Sequence, residues 1–140
     1  MAETSATPLF QKLGIKPGHR VAFADAPADF PRTLGPLPAG CQQVSVDGED
    51  AEPLDVIVCF GLGQAAVRKT CAQWKRRLAP NGGLWLCWPK KASGVATDLA
   101  DSDVQKIGLD AGLVDNKICA IDATWSAMRF VYRLRDRPAQ

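Results

Sequence analysis

The chain has 140 residues, 46% of them apolar and 23% charged, with a net charge of +2. That is the composition of one soluble globular domain large enough to bury its own core. No apolar run approaches the roughly 20 residues of a membrane helix. The start, MAETSATPLF, lacks the basic and apolar parts of a signal peptide, so a cytoplasmic location without a membrane partner is expected.

Residues 1–7 read as a flexible tail, 8–135 as the domain and 136–140 as a second tail. Pro8 to Leu13 forms a short helical turn stopped by Gly14. Arg20 to Ala24 is the first strand. Four prolines between Asp25 and Gly40 (Pro27, Pro31, Pro36, Pro38) allow only a single helical turn, around Ala28 to Thr33. Gln42 to Val46 is a second short strand ending at Asp47-Gly48. Leu54 to Phe60 is apolar after Asp55, the pattern of a strand covered on both faces.

Gly61-Leu62-Gly63 turns into a helix from Gln64 to Leu78, with Val67, Cys71, Trp74 and Leu78 as its inner stripe. Pro80-Asn81-Gly82-Gly83 reads as a turn, and Leu84 to Trp88 as a strand stopped by Pro89. A helix over Asp101 to Ala111 buries Val104, Ile107, Gly108 and Ala111 and ends at Gly112. Val114 to Ile121 and Ser126 to Leu134 form an antiparallel hairpin around Asp122-Ala123-Thr124-Trp125. Alternating strands and helices imply parallel pairing with right-handed crossovers. The fold class is therefore α/β, a single three-layer Rossmann-like domain with a mostly parallel sheet of about six strands and a C-terminal antiparallel hairpin.

The five cysteines are odd in number and form no CxxC pair; three of them (Cys59, Cys87, Cys119) lie in apolar runs. They read as reduced thiols acting as small hydrophobes. With a single histidine, His19, no zinc site is expected. Charge is unevenly spread. Val21 to Asp55 holds seven acidic residues and one basic; Val56 to Thr97 holds seven basic residues and no acidic one. Such a two-sided field favours an anionic ligand or partner on the basic side. Nucleic acid is not expected, because Trp74, the aromatic residue within the basic run Arg68 to Arg77, faces inward and offers no stacking platform.

LGIKPGHRVAF, LAPNGGLWL and AGLVDNKICAID resemble the first-strand approach, the late helix-turn-strand and the closing pair of class I methyltransferases. That resemblance implies a strand order of second, first, third, fourth, sixth, fifth, one strand-helix unit short of the full fold. The strings GLWLCWPKKASGVATDL and AGLVDNKICAIDATWSAMRFV also resemble a bacterial family known only as domain of unknown function 3052, which implies no catalytic residues.

S-adenosylmethionine binding in the methyltransferase fold relies on an acidic residue and a glycine-rich turn after the first strand. Here Phe23 stands in the acidic position, Ala24 to Asp29 contains no glycine, and Pro27 removes an amide donor. Asp47 sits where a ribose-binding acid could be and also reads as a turn former. Gly61-Leu62-Gly63 lacks the third glycine of a dinucleotide fingerprint. No cofactor is therefore expected, and S-adenosylmethionine is disfavoured.

In an open α/β sheet, ligands bind at the carboxyl ends of the strands where strand order reverses. The candidate ligand residues there are Gly61, Gly63, Lys90, Lys91, Ser93, Thr97, Trp125 and Ser126. Cations, hydroxyls and an indole suit a phosphate or carboxylate on a flat ring. No catalytic constellation is visible. The expected function is a non-catalytic binding or regulatory module for a small anionic ligand or a protein partner. The alternative is a small enzyme acting on an anionic substrate, including a divergent S-adenosylmethionine-dependent methyltransferase.

Overall fold

A computed structural model describes residues 8–44 and 53–133. Val46, Asp47 and Gly48, the expected end of the second strand and its turn, lie outside them, as do both expected tails. In chain order the elements are α1 (Leu9–Lys12), β1 (Arg20–Ala24), α2 (Phe30–Leu34), β2 (Gln42–Gln43) and β3 (Leu54–Phe60). Then follow α3 (Gln64–Lys75), β4 (Leu78–Pro89), a 3-10 turn (Lys91–Ser93), α4 (Asp101–Asp110), β5 (Leu113–Ala120) and β6 (Trp125–Tyr132).

The strands form one six-stranded sheet in the order β2-β1-β3-β4-β6-β5. β2, β1, β3 and β4 pair in parallel, and β6 runs antiparallel between β4 and β5. This is the expected Rossmann-like class and the expected strand order. No helix is long and apolar enough to cross a membrane among the described residues.

The central strands β3 and β4 are buried on both faces because they carry apolar residues without alternation. On one face, Val67, Cys71 and Trp74 of α3 and Val104 and Ile107 of α4 pack on Ala22, Ile57, Cys59, Leu84 and Leu86. On the other, Leu9 and Leu13 of the α1 segment and Phe30 and Leu34 of α2 pack on Val21, Val58, Phe60, Trp85 and Cys87. Trp85 is fully buried, and its indole Nε1 donates to the Leu13 carbonyl at 3.0 Å. One side chain thus supplies apolar area to the sheet face and pins the chain leaving α1 to it.

Two boundaries differ from the sequence expectation. α3 stops at Lys75, and Leu78 opens β4. The sheet wins over helical propensity here, because the Leu54 amide donates to the Arg77 carbonyl at 2.7 Å and Leu78 pairs with Leu54. Pro80 to Gly83 is an irregularity inside β4, not a turn before it. Leu54 pairs with Leu78 and Val56 with Gly83, so β4 spends five steps where β3 spends two. A proline is tolerated at such a bulge because no ladder bond is asked of it. At Gly82 a Cβ would stand 2.8 Å from the Asp55 carbonyl oxygen and 3.0 Å from that of Leu54, so only glycine fits.

The hairpin also closes one residue early. Asp122 Oδ1 accepts the amides of Thr124 and Trp125, each at 2.8 Å, which frees Trp125 to begin β6.

Two stability outcomes follow. Alanine normally gains up to about 1 kcal/mol over glycine inside a helix. At Gly108, however, a Cβ would sit 2.0 Å from the buried Phe130 ring. Overpacking costs about 1–3 kcal/mol and dominates. Gly108→Ala is expected to destabilise by about 1–2 kcal/mol in urea unfolding, and a stabilised variant would contradict the packing.

The second concerns pH. All five cysteines are free. Burial pushes the Cys59 and Cys87 thiols well above 9.0, and Cys71 up to about 11. The native state therefore holds protons that the unfolded chain releases first. The thiols' contribution is complete below pH 9.0 and is lost as pH rises towards the native values. Thermal midpoints should fall above that pH, and less steeply in a Cys59→Ala, Cys87→Ala variant.

Candidate functional site

The chain leaves β1 towards β2 on one side and returns to β3 on the other, so strand order reverses at β1. The carboxyl ends of β1 and β3 open the crevice that this topology provides. β1 ends at Ala24, and the next residue, Asp25, has φ of 57°, the one non-glycine positive φ among the described residues. An L-residue pays about 1–2 kcal/mol for that left-handed turn, and aspartate pays less than most. The turn that glycine was expected to provide is made by Asp25 itself.

Two cavities meet at this turn and share Asp25 and Pro27. One, of about 420 Å³, is walled by Phe60, Gly61, Leu62, Gly63, Ala66 and Trp125. The other, of about 450 Å³, lies between Phe23, Ala28, Phe30, Leu34 and Gln43. Both volumes fall within the usual range for small-molecule sites. A row of edge-to-face aromatics crosses the strand ends: Phe23 to Phe30 at 5.1 Å, Phe30 to Phe60 at 5.0 Å, and Phe60 to Trp125 at 5.1 Å. Such contacts hold the rings rigidly, giving the crevice a fixed apolar wall with the Asp25 carboxyl group at its turn.

Of the residues expected from sequence, Gly61, Gly63 and Trp125 line the larger-mouthed cavity beside β3. Gly61 is bare for packing: a Cβ there would stand 2.4 Å from Val67 Cγ2. Gly63 precedes α3, whose first amide, on Gln64, donates to Asp98 Oδ1 at 2.8 Å. An internal carboxylate therefore already occupies the end of α3 that would attract an anion. Gln64 Nε2 adds a bond to the Asp98 carbonyl at 2.9 Å. Thr97 Oγ1 donates to the Leu62 carbonyl at 2.5 Å and accepts the Leu99 amide at 3.2 Å. Thr97 and Asp98 thus lash the loop after β4 to the β3–α3 turn.

The rest of the expected set stands outside both cavity walls. Ser93 Oγ donates to the Lys90 carbonyl at 2.6 Å and accepts the Val95 amide at 3.2 Å, which closes the 3-10 turn on itself. The Lys90 amide donates to the Thr124 carbonyl at 2.8 Å, and Pro89 pairs with Trp125. Lys90 is half-buried and Lys91 exposed. Ser126 pairs with Trp88 on one side and Ala120 on the other. The lysines are therefore near neighbours of Trp125 along the sheet edge without entering the cavities. Sequence reasoning missed Phe60; its readable signal was its place as the last residue of the clearest strand.

Several solved structures similar to this fold are described as S-adenosylmethionine-dependent methyltransferases. A SAM-dependent methyltransferase from Aquifex aeolicus is 15% identical with a TM-score of 0.63, the match covering 86% of each chain. Magnesium protoporphyrin IX methyltransferase from Synechocystis PCC 6803, with SAH bound, is 13% identical with a TM-score of 0.60, over 89% of this chain and 78% of that one. Aeropyrum pernix fibrillarin with natively bound S-adenosylmethionine is 13% identical with a TM-score of 0.56, over 84% and 68%. No family model matches the chain, and no curated protein does.

Two expectations are corrected by these matches. The expectation of a non-catalytic module is contradicted: the fold is shared with proteins described as methyltransferases, which favours the alternative reading. The absence of a cofactor gives way as well, since two of those neighbours hold S-adenosylmethionine or its product. The physical reason for the misreading is Asp25. A missing glycine was taken for a missing turn, while the turn is present in another residue.

Asp98→Ala removes the long-range cap of α3. The expected loss is about 0.5–2 kcal/mol, the usual range for such caps. Hydrogen exchange at the Gln64 amide should quicken with it; unchanged exchange there would contradict the cap.

Proposed function

We propose that the chain is a divergent S-adenosylmethionine-dependent methyltransferase that holds its cofactor across the two cavities at Asp25. The observation that carries this reading is the left-handed Asp25 turn, set between two ligand-sized cavities where strand order reverses. The residues present fit the group. S-adenosylmethionine carries an ammonium and a sulfonium, and the Asp25 carboxylate offers a counter-charge to such cations. The rings of Phe60 and Trp125 offer the electron-rich faces that cations favour. Pro27, Leu34 and Phe30 supply an apolar wall for a nucleoside.

When bound, S-adenosylmethionine supplies an electrophilic methyl group. The chain's own part is to bind, orient and exclude water. Asp25, exposed at the mouth of the crevice, accepts hydrogen bonds from an ammonium, and the aromatic row walls the crevice beside it. Lys90 and Lys91 follow Pro89, the partner of Trp125, so they border the cavity edge and would meet an anionic acceptor there. We assign Lys90, Lys91, Ser93 and Ser126 to that acceptor side, with Thr97 holding the loop. The GLWLCWPKKASGVATDL string supports membership of the domain of unknown function 3052 family, and the composition supports a cytoplasmic location.

Calorimetry with S-adenosylhomocysteine tests the reading. Micromolar binding is expected, with Asp25→Asn weakening it by about tenfold, since a charged hydrogen bond is worth about 1.5–3 kcal/mol. Asparagine tolerates the left-handed turn, so the fold should be kept. Asp25→Gly should leave stability level or raise it while also weakening binding. Absent binding in the parent chain, or full binding in both variants, would overturn the proposal.

A further inference from the structure

The opposite, amino-terminal edge of the parallel strands holds a cavity that the proposed methyl transfer does not use. It measures about 340 Å³, and its wall includes Lys12, Lys16, Lys117 and Arg129 together with the amides of Asn81 and Asn116. His19 and Asp55 also line it. Among the described residues, four cations therefore face one carboxylate, and that carboxylate is already engaged: Asp55 Oδ2 accepts the Arg20 amide at 2.9 Å. The ion pairs among the described residues are Arg68–Asp110 and Lys106–Asp110, so none of the four cations is neutralised by them.

The way the sheet presents Arg129 is the second observation. Arg129 lies on β6 between Trp85 and Lys117. Its guanidinium lies over Gly83, where a Cβ would stand 2.4 Å from Nε and 2.8 Å from Cζ. The bare glycine makes room for the charge. Desolvation holds the Arg129 guanidinium below its ordinary value. A half-buried cation without a counter-ion is costly, and an anion that hydrogen-bonds it offsets the cost. Lys117 Nζ is tethered to the Lys12 carbonyl at 3.2 Å, which leaves further ammonium protons for a ligand. The Lys16 amide donates to His19 Nδ1 at 3.1 Å, so the loop carrying Lys16 is also fixed.

We propose that this cavity is a binding site for a small phosphate-bearing ligand, with Arg129 as its fork and Lys12, Lys16 and Lys117 as surrounding cations. The cations come from three separate segments: α1 with the connection that follows it, β5 and β6. That arrangement suits a multiply charged, tetrahedral group better than a single flat carboxylate. Arginine pairs with phosphate through two parallel hydrogen bonds, and lysines add point charges. The asparagine amides at the β4 and β5 irregularities supply neutral donors that a phosphate oxygen can use.

The test is calorimetric titration of the full chain with inorganic phosphate and with pyrophosphate, with citrate as the carboxylate arm. Saturable sub-millimolar binding of phosphate or pyrophosphate is expected, falling as salt rises. Arg129→Gln should weaken it by about tenfold or more. Gly83→Ala keeps every charge but displaces the guanidinium, and should weaken binding in the same direction. Lys16→Gln with Lys117→Gln, both exposed positions, gives a variant whose fold is secure. Lys106→Gln makes a like charge change on α4 and should leave affinity within about twofold. No saturable binding of either phosphate probe would overturn the site, as would citrate binding alone. Phosphate binding that survives both Arg129→Gln and the double lysine variant would overturn it equally.

Discussion

The parallel pairing of β3 with β4, buried on both faces, is the constraint on which the rest depends. Two strands with no wet face must be covered by helices above and below, and parallel strands must be joined by a crossover. α3 provides the crossover and one cover; α1 and α2 provide the other. The Trp85 indole on β4 fixes the second cover through the Leu13 carbonyl. Once the pair is set, β1 joins on one side and β6 on the other, and the reversal of strand order falls beside β3.

The cavities at both edges of the sheet are consequences of that pairing. At the carboxyl ends, backbone must turn sharply away from the sheet, and Asp25 takes the left-handed turn between two hollows, the one beside Phe60 and Trp125 being apolar. At the amino ends, β4 enters through an irregularity and β5 loses register between Asp115 and Lys117. Those irregularities place Asn81, Asn116 and Lys117 around Arg129. One edge thus combines aromatic rings with a carboxylate, the other amides with cations.

Most of the fold was legible because its signals are local. β1 and β3 have the bounds that their apolar runs and flanking turn residues imply, and Gly112 ends the last helix at φ of 89° as a left-handed stop. The start of β4 was not legible, since Pro80-Asn81-Gly82-Gly83 has turn chemistry and only the neighbouring β3 makes it a bulge. The site was legible as a sheet edge but not as a surface. Aspartate tolerates a positive φ, but nothing in the sequence around Asp25 requires one there. Asp98 caps a helix that begins 34 residues earlier, a distance no local pattern spans. Arg129 looked like an ordinary strand residue until Gly83, a position on another strand, lay beneath it.

The central claim is that the Asp25 edge binds the nucleoside cofactor. Amide and indole chemical shifts of the nitrogen-15-labelled chain, followed while S-adenosylhomocysteine is added, test it most directly. The geometry predicts perturbations confined to the two cavities: Asp25, Ala26, Leu34, Gln43, Gly61 to Gly63 and the Trp125 indole. Unmoved resonances there, or perturbations centred on Arg129 and Lys117, would contradict it.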